Sequence, residues 1–165
     1  MKRISFLGLL LSTVMLFSYC KKSKNNDGDK PFISMKINGV DWYDNKNVVI
    51  GSSAAGGTYN VTIMGRDDDF GAEASSFSAI FSRDADITTG TYNFTSSGDG
   101  ATVTKVNGKT YLMTGTTSGA SFTLTITGVS GTGSVKKLRG TFSGMLRGPT
   151  AGDNITITNG QFSGY

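Results

Sequence analysis

From residue 31 onward, apolar and polar residues alternate with a period of two, and no segment there carries a 3.6-residue stripe. Ile33, Met35 and Ile37 share one face, as do Tyr59, Val61 and Ile63, and Phe77, Ala79 and Phe81. The same holds for Phe122, Leu124 and Ile126, and for Leu138, Phe142 and Leu146. Ser, Thr, Asn and Lys fill the positions between them. Successive side chains of a strand point to opposite sides, so this pattern predicts antiparallel strands with one buried and one wetted face.

Turn chemistry divides the strands. Asn-Gly is the strongest short hairpin signal, because both central residues of a type I′ turn need positive φ. It occurs at Asn38–Gly39, Asn107–Gly108 and Asn159–Gly160, and each predicts a hairpin. Further breaks are expected at 51–57, 65–71, 82–90, 96–100, 114–119, 128–134 and 148–153, where Gly, Ser, Thr and Asp concentrate. The result is an all-β domain of about ten short strands. Its expected form is an antiparallel β-sandwich, with a closed or partly open β-barrel as the alternative. Segment 135–147 is long for a strand, and Gly140 and Gly144 within it predict bulges or bends that let it serve two parts of the sheet system.

The first thirty residues follow other rules. Lys2 and Arg3 precede an apolar run from Ile4 to Phe17, too short for a bilayer core that needs about 20 residues. Residues 1–19 therefore read as a cleaved signal peptide. The only cysteine, Cys20, follows directly, and the stretch Leu16 to Cys20 resembles the lipobox of bacterial lipoproteins, with Tyr19 where a small residue is usual. That resemblance implies acylation of the Cys20 sulfur and a membrane partner reached through the lipid. Each buried acyl methylene contributes about 0.8 kcal/mol, so two or three chains hold a protein firmly. Residues 20–30, "CKKSKNNDGDK", have no apolar periodicity and read as a disordered tether behind the lipidated cysteine. The single domain is then 31–165, long enough for one sizeable core.

Charge changes the picture only once it is located. The net charge is +4, but six of the 16 basic residues lie in the leader and tether, leaving ten against ten acidic residues in 31–165. A neutral domain lacks the basic footprint that phosphate backbones require, so no nucleic-acid partner is expected. One cysteine permits no internal disulfide.

The chain contains no histidine. That removes imidazole-activated nucleophiles and the commonest transition-metal ligand. What remains is carboxylate chemistry and calcium. Acidic residues cluster in 66–73 and 82–90, at opposite ends of one strand of about 7 residues, hence about 20 Å apart. A glycosidase dyad needs about 5 to 9.5 Å, so a carboxylate hydrolase is the least favoured reading and no catalytic residue is assigned. Asp67, Asp68 and Asp69, with Asp84 and Asp86, are weak calcium candidates that lack an EF-hand frame and equally suit turns. No cofactor is expected.

Threonines alternate at Thr123, Thr125 and Thr127, at Thr156 and Thr158, and at Thr102 and Thr104. Such faces hydrogen-bond sugars when aromatics stand nearby, and Trp42, Tyr43, Tyr92 and Tyr111 are the candidates to stack on a pyranose. Threonine also simply suits the wet side of a sheet, and Trp42 suits the end of a core.

The hairpin N-G-x-x-W (Asn38, Gly39, Trp42), the run G-T-F-S-G (Gly140 to Gly144) and I-T-N-G-x-F (Ile157 to Phe162) resemble a family of uncharacterised Bacteroidota lipoprotein domains. The resemblance implies an all-β domain in the cell envelope, attached to the outer membrane, with no activity to transfer. Lysines rather than acidic residues after Cys20 favour the periplasmic face over the cell surface. The expected function is a lipid-anchored, non-enzymatic domain for binding or structural support, and the alternative is a glycan-binding module of a polysaccharide-utilisation system.

Overall fold

The computed structural model describes residues 30–67, 76–132 and 134–165. The signal segment, Cys20, the tether up to Asp29, and Asp68 and Asp69 lie outside the described residues. Within them the chain forms eleven strands and no helix. They are β1 (Phe32–Ile37), β2 (Val40–Asp44), β3 (Val49–Ala55), β4 (Thr58–Arg66), β5 (Ser76–Arg83), β6 (Gly90–Asn93), β7 (Gly100–Val106), β8 (Lys109–Thr114), β9 (Ser121–Ser130), β10 (Val135–Arg147) and β11 (Asn154–Ser163).

All pairings are antiparallel, and they build two layers. One runs β2-β1-β11-β10-β9-β6 and the other β3-β4-β5-β7-β8, and the pairing of β10 with both β3 and β8 joins them into one continuous sheet. Rings meet across the gap: Phe77 of β5 stacks on Phe142 of β10 at 4.8 Å and 9°, and Phe81 of β5 meets Tyr92 of β6 at 5.0 Å. At the far side Trp42 of β2 lies over Gly65 of β4. This is the expected sandwich. Its larger layer ends in open edges at β2 and β6, which a closed barrel would lack.

The apolar faces read from the sequence fill the core. Ile33, Val61, Ile63, Ala79, Phe81, Leu124, Leu138 and Leu146 are fully buried, and Tyr59 packs half-buried at the margin. Strand β10, at thirteen residues, spans both layers: its first residues pair with β3, its body with β9 and β11, and Arg147 with Leu112 of β8. Register shifts fall between Arg139 and Gly140 against β9, and between Phe142 and Gly144 against β11, near the two glycines that predicted bends.

Two of the three Asn-Gly pairs make hairpins. Asn38 and Gly39 have φ of 50° and 86°, and Asn107 and Gly108 have 49° and 75°, as a type I′ turn demands. Asn159–Gly160 does not turn the chain. Asn159 does take positive φ, 53°, but it sits inside the continuous strand β11 as the extra residue where β1 and β10 both shift register. Local sequence fixes the left-handed φ; flanking strands on both sides convert the turn into a bulge. Several expected breaks are likewise narrower than the glycine-rich stretches, since β3 runs through Gly51 and β9 through Gly128.

Candidate functional site

Strand β10 and its neighbours turn their hydroxyl and amide side chains outward. Following the pairings across the larger layer gives one line of residues: Tyr43, Ser34, Gln161, Thr141, Thr125 and Thr91. Six strands at about 4.8 Å spacing make this line about 24 Å long. Three register shifts, at 34/36, 139/140 and 142/144, bend the layer, and the outer face is dished. Two hollows of about 1040 and 440 Å³ lie end to end along it and share Thr141, Asn159 and Gln161.

The two ends of this trough differ. Toward β6, hydroxyls are already engaged: Thr91 and Thr125 share a hydrogen bond of 3.1 Å, and Thr123 donates to the side-chain Oδ1 of Asn93 at 3.0 Å. At the centre, Ser34, Thr141, Ser143 and Gln161 make no side-chain hydrogen bond among the described residues, so their donors and acceptors face solvent. At the β2 side, Tyr43 stacks on Phe32 with ring centroids 6.3 Å apart and remains 36% exposed.

Charge in the trough is sparse. Lys36 and Asp41 neutralise each other at 2.6 Å. Arg139 is exposed, lies over the Tyr165 ring at 5.5 Å, and has no carboxylate partner among the described residues. Opposite it in the register is Gly128, which the bulge turns to the outer face. A Cβ there would run into both the Arg139 side chain and the Tyr165 hydroxyl, so the glycine is what lets that pair lie flat on the sheet.

The sequence-derived candidates scatter. Tyr43 stands in the trough. Trp42 also borders it, but its ring points into the core at 2% exposure and cannot stack on a ligand. Tyr111 is 3% exposed and donates to Asp153 at 3.0 Å. Tyr92 packs its ring on Phe81 and donates its hydroxyl to the Thr88 carbonyl at 2.8 Å. Alternation assigns these residues to faces only when the strand frame is known, and β2 places Trp42 on the inner face and Tyr43 on the outer one. Of the threonines, Thr123 and Thr125 line the smaller hollow, whereas Thr102 and Thr104 belong to the other layer. Phe32, Gln161 and Tyr165 also line the trough, as does Arg139, which the sequence presents only as part of a solvated basic cluster with Lys136 and Lys137. Their outward parity is legible in each strand, but their convergence depends on register.

Among the acidic candidates, Asp86 is held in a structural contact. Asp86 binds Lys136 at 2.5 Å, and that hydrogen bond holds its carboxyl below the usual range. Asp84 is exposed, Asp67 is buried, and no three acidic or cysteine side chains converge among the described residues. Asp44 and Asp99, both buried, act on the backbone. Asp44 accepts from the Lys46 and Asn47 amides and from the Arg66 amide of β4, tying the β2–β3 loop to the other layer. Asp99 binds the Arg83 guanidinium and the Thr95 and Ser96 amides. Burial works to raise its carboxyl, but Arg83 and the two amides together outweigh that and hold it below the usual carboxylate range. Asp153 is held low by Lys109 and joins β8 to the β10–β11 loop.

No family model, curated protein or solved structure matches this chain.

Proposed function

We propose that this chain is a non-enzymatic binding protein of the cell envelope, lipid-anchored at Cys20, whose ligand is a carbohydrate chain lying in the trough. The observation that carries this reading is the line of uncommitted hydroxyl and amide groups, Ser34, Gln161, Thr141 and Ser143, in a dished surface ended by an exposed Tyr43. Polyhydroxylated ligands need many paired donors and acceptors and an aromatic platform; large apolar ligands need a greasy cavity. The site suits the former. Lys30, at the start of the described residues, borders the trough. A tether of ten residues reaches about 35 Å at most, so an anchored chain holds the trough close to its membrane.

Two measurements test the reading. In cells fed a clickable palmitate analogue, wild type is expected to label and to fractionate with membranes, and Cys20→Ala to lose both; a Cys20→Ala chain that keeps label and membrane association ends the anchor proposal. For the trough, the full chain in detergent is screened on a glycan array. The double variant Thr141→Val with Gln161→Met keeps volume and strand character but removes the central hydrogen-bonding groups, and it is expected to bind about tenfold or more weakly with unchanged melting. Wild type binding no glycan removes the carbohydrate reading.

A further inference from the structure

We infer that the carbohydrate taken by the trough is acidic, with a carboxylated sugar seated at Arg139. This rests on the carbohydrate reading above and narrows it. The trough is lined by one complete ion pair, Lys36 with Asp41, by Lys30, and by Arg139, which meets no carboxylate among the described residues. Arg139 is exposed on β10, next to Thr141 in the outward series and beside Ser163 across the β11 pairing. Its guanidinium stays fixed by two features. The Tyr165 ring supports it at 5.5 Å, and Gly128 leaves the space beneath it open.

Charges balance over 31–165, whereas the larger of the two hollows is lined by Lys30, Lys36 and Arg139 against Asp41, a local excess of positive charge. Guanidinium presents a planar fork of donors that matches a carboxylate with two parallel hydrogen bonds. The neighbouring hydroxyls then take the sugar ring. Arg139 and Tyr43 sit on adjacent rows of the same face, separated by β11 and β1, so an acidic sugar at Arg139 leaves the central row for its neighbours in the chain. A neutral glycan would offer the guanidinium only single hydroxyl acceptors, weaker than the charge-assisted pair of bonds to a carboxylate.

The test compares acidic polysaccharides with their carboxyl-reduced counterparts on the same array, using the full chain in detergent, wild type and Arg139→Gln. Expected is binding to one or more acidic members that weakens about tenfold on carboxyl reduction, weakens equally in Arg139→Gln, is partly restored in Arg139→Lys, and falls with added salt. Because Arg139 is exposed, its variants are expected to melt with wild type. Binding that prefers the reduced glycans, or that ignores Arg139→Gln, overturns the inference and leaves the carbohydrate reading intact. No glycan binding at all overturns both. Arg139-dependent binding to phosphatidylglycerol vesicles without acidic-glycan binding would assign the cation to lipid headgroups and also overturn it.

Discussion

Phe142→Ala is expected to destabilise the domain by about 4 kcal/mol, a large part of the 5 to 15 kcal/mol typical of a single domain. The ring is 4% exposed and sits where the layers meet: it stacks on Phe77 at 4.8 Å and touches Phe122 at 5.8 Å and Phe162 at 6.3 Å. Removing it therefore opens a void shared by β5, β9, β10 and β11, and the sheets cannot close over it without breaking ladder bonds. Urea unfolding of the full chain in detergent measures the loss. Met64→Ala, on the outer face of β4 at 42% exposure, is the comparison and should stay within about 0.5 kcal/mol of wild type. Equal losses for the two would mean that the aromatic cluster does not join the layers.

The second large effect is expected at Asp99. Its side chain is fully buried, and the Arg83 guanidinium it binds at 2.7 Å is mostly covered. Asp99→Asn keeps the shape but leaves Arg83 without its charge partner and weakens the cap on Thr95 and Ser96, a loss of about 3 kcal/mol by the measure of other broken buried pairs. The pH dependence follows from the direction of the shift. A carboxyl held low in the folded state contributes fully above its unfolded value of about 3.9, and that contribution is lost as pH falls through the lower folded value. Wild type should therefore lose stability below about pH 4, and Asp99→Asn should show a shallower acid slope over the same window. Parallel slopes would show that other carboxyls carry the acid response.

Some of this was written in the one-dimensional pattern. The alternation that placed Phe77, Phe122 and Phe142 inside is a property of strand geometry and needs no knowledge of neighbours. Residue chemistry likewise fixed the left-handed backbone at Asn38, Asn107 and Asn159. The partner of Asp99 was not legible, because Arg83 reaches it from sixteen residues away across β6. Among the aromatics, Tyr43 and Trp42 are adjacent in sequence and opposite in fate, and only the pairing of β2 with β1 and its packing on β4 decides which ring is buried.

The sequence by itself determined the class of fold, the buried faces and two of its hairpins, since these depend on side-chain alternation and on φ preferences within a few residues. The tertiary structure decided which hydroxyls become neighbours, that Asn159–Gly160 bulges instead of turning, and that Arg139 has a glycine opposite it. Register is the reason. It is set by long-range pairing between residues as far apart in sequence as Phe32 and Ser163, and a trough built across six strands exists only when all of those registers are fixed together.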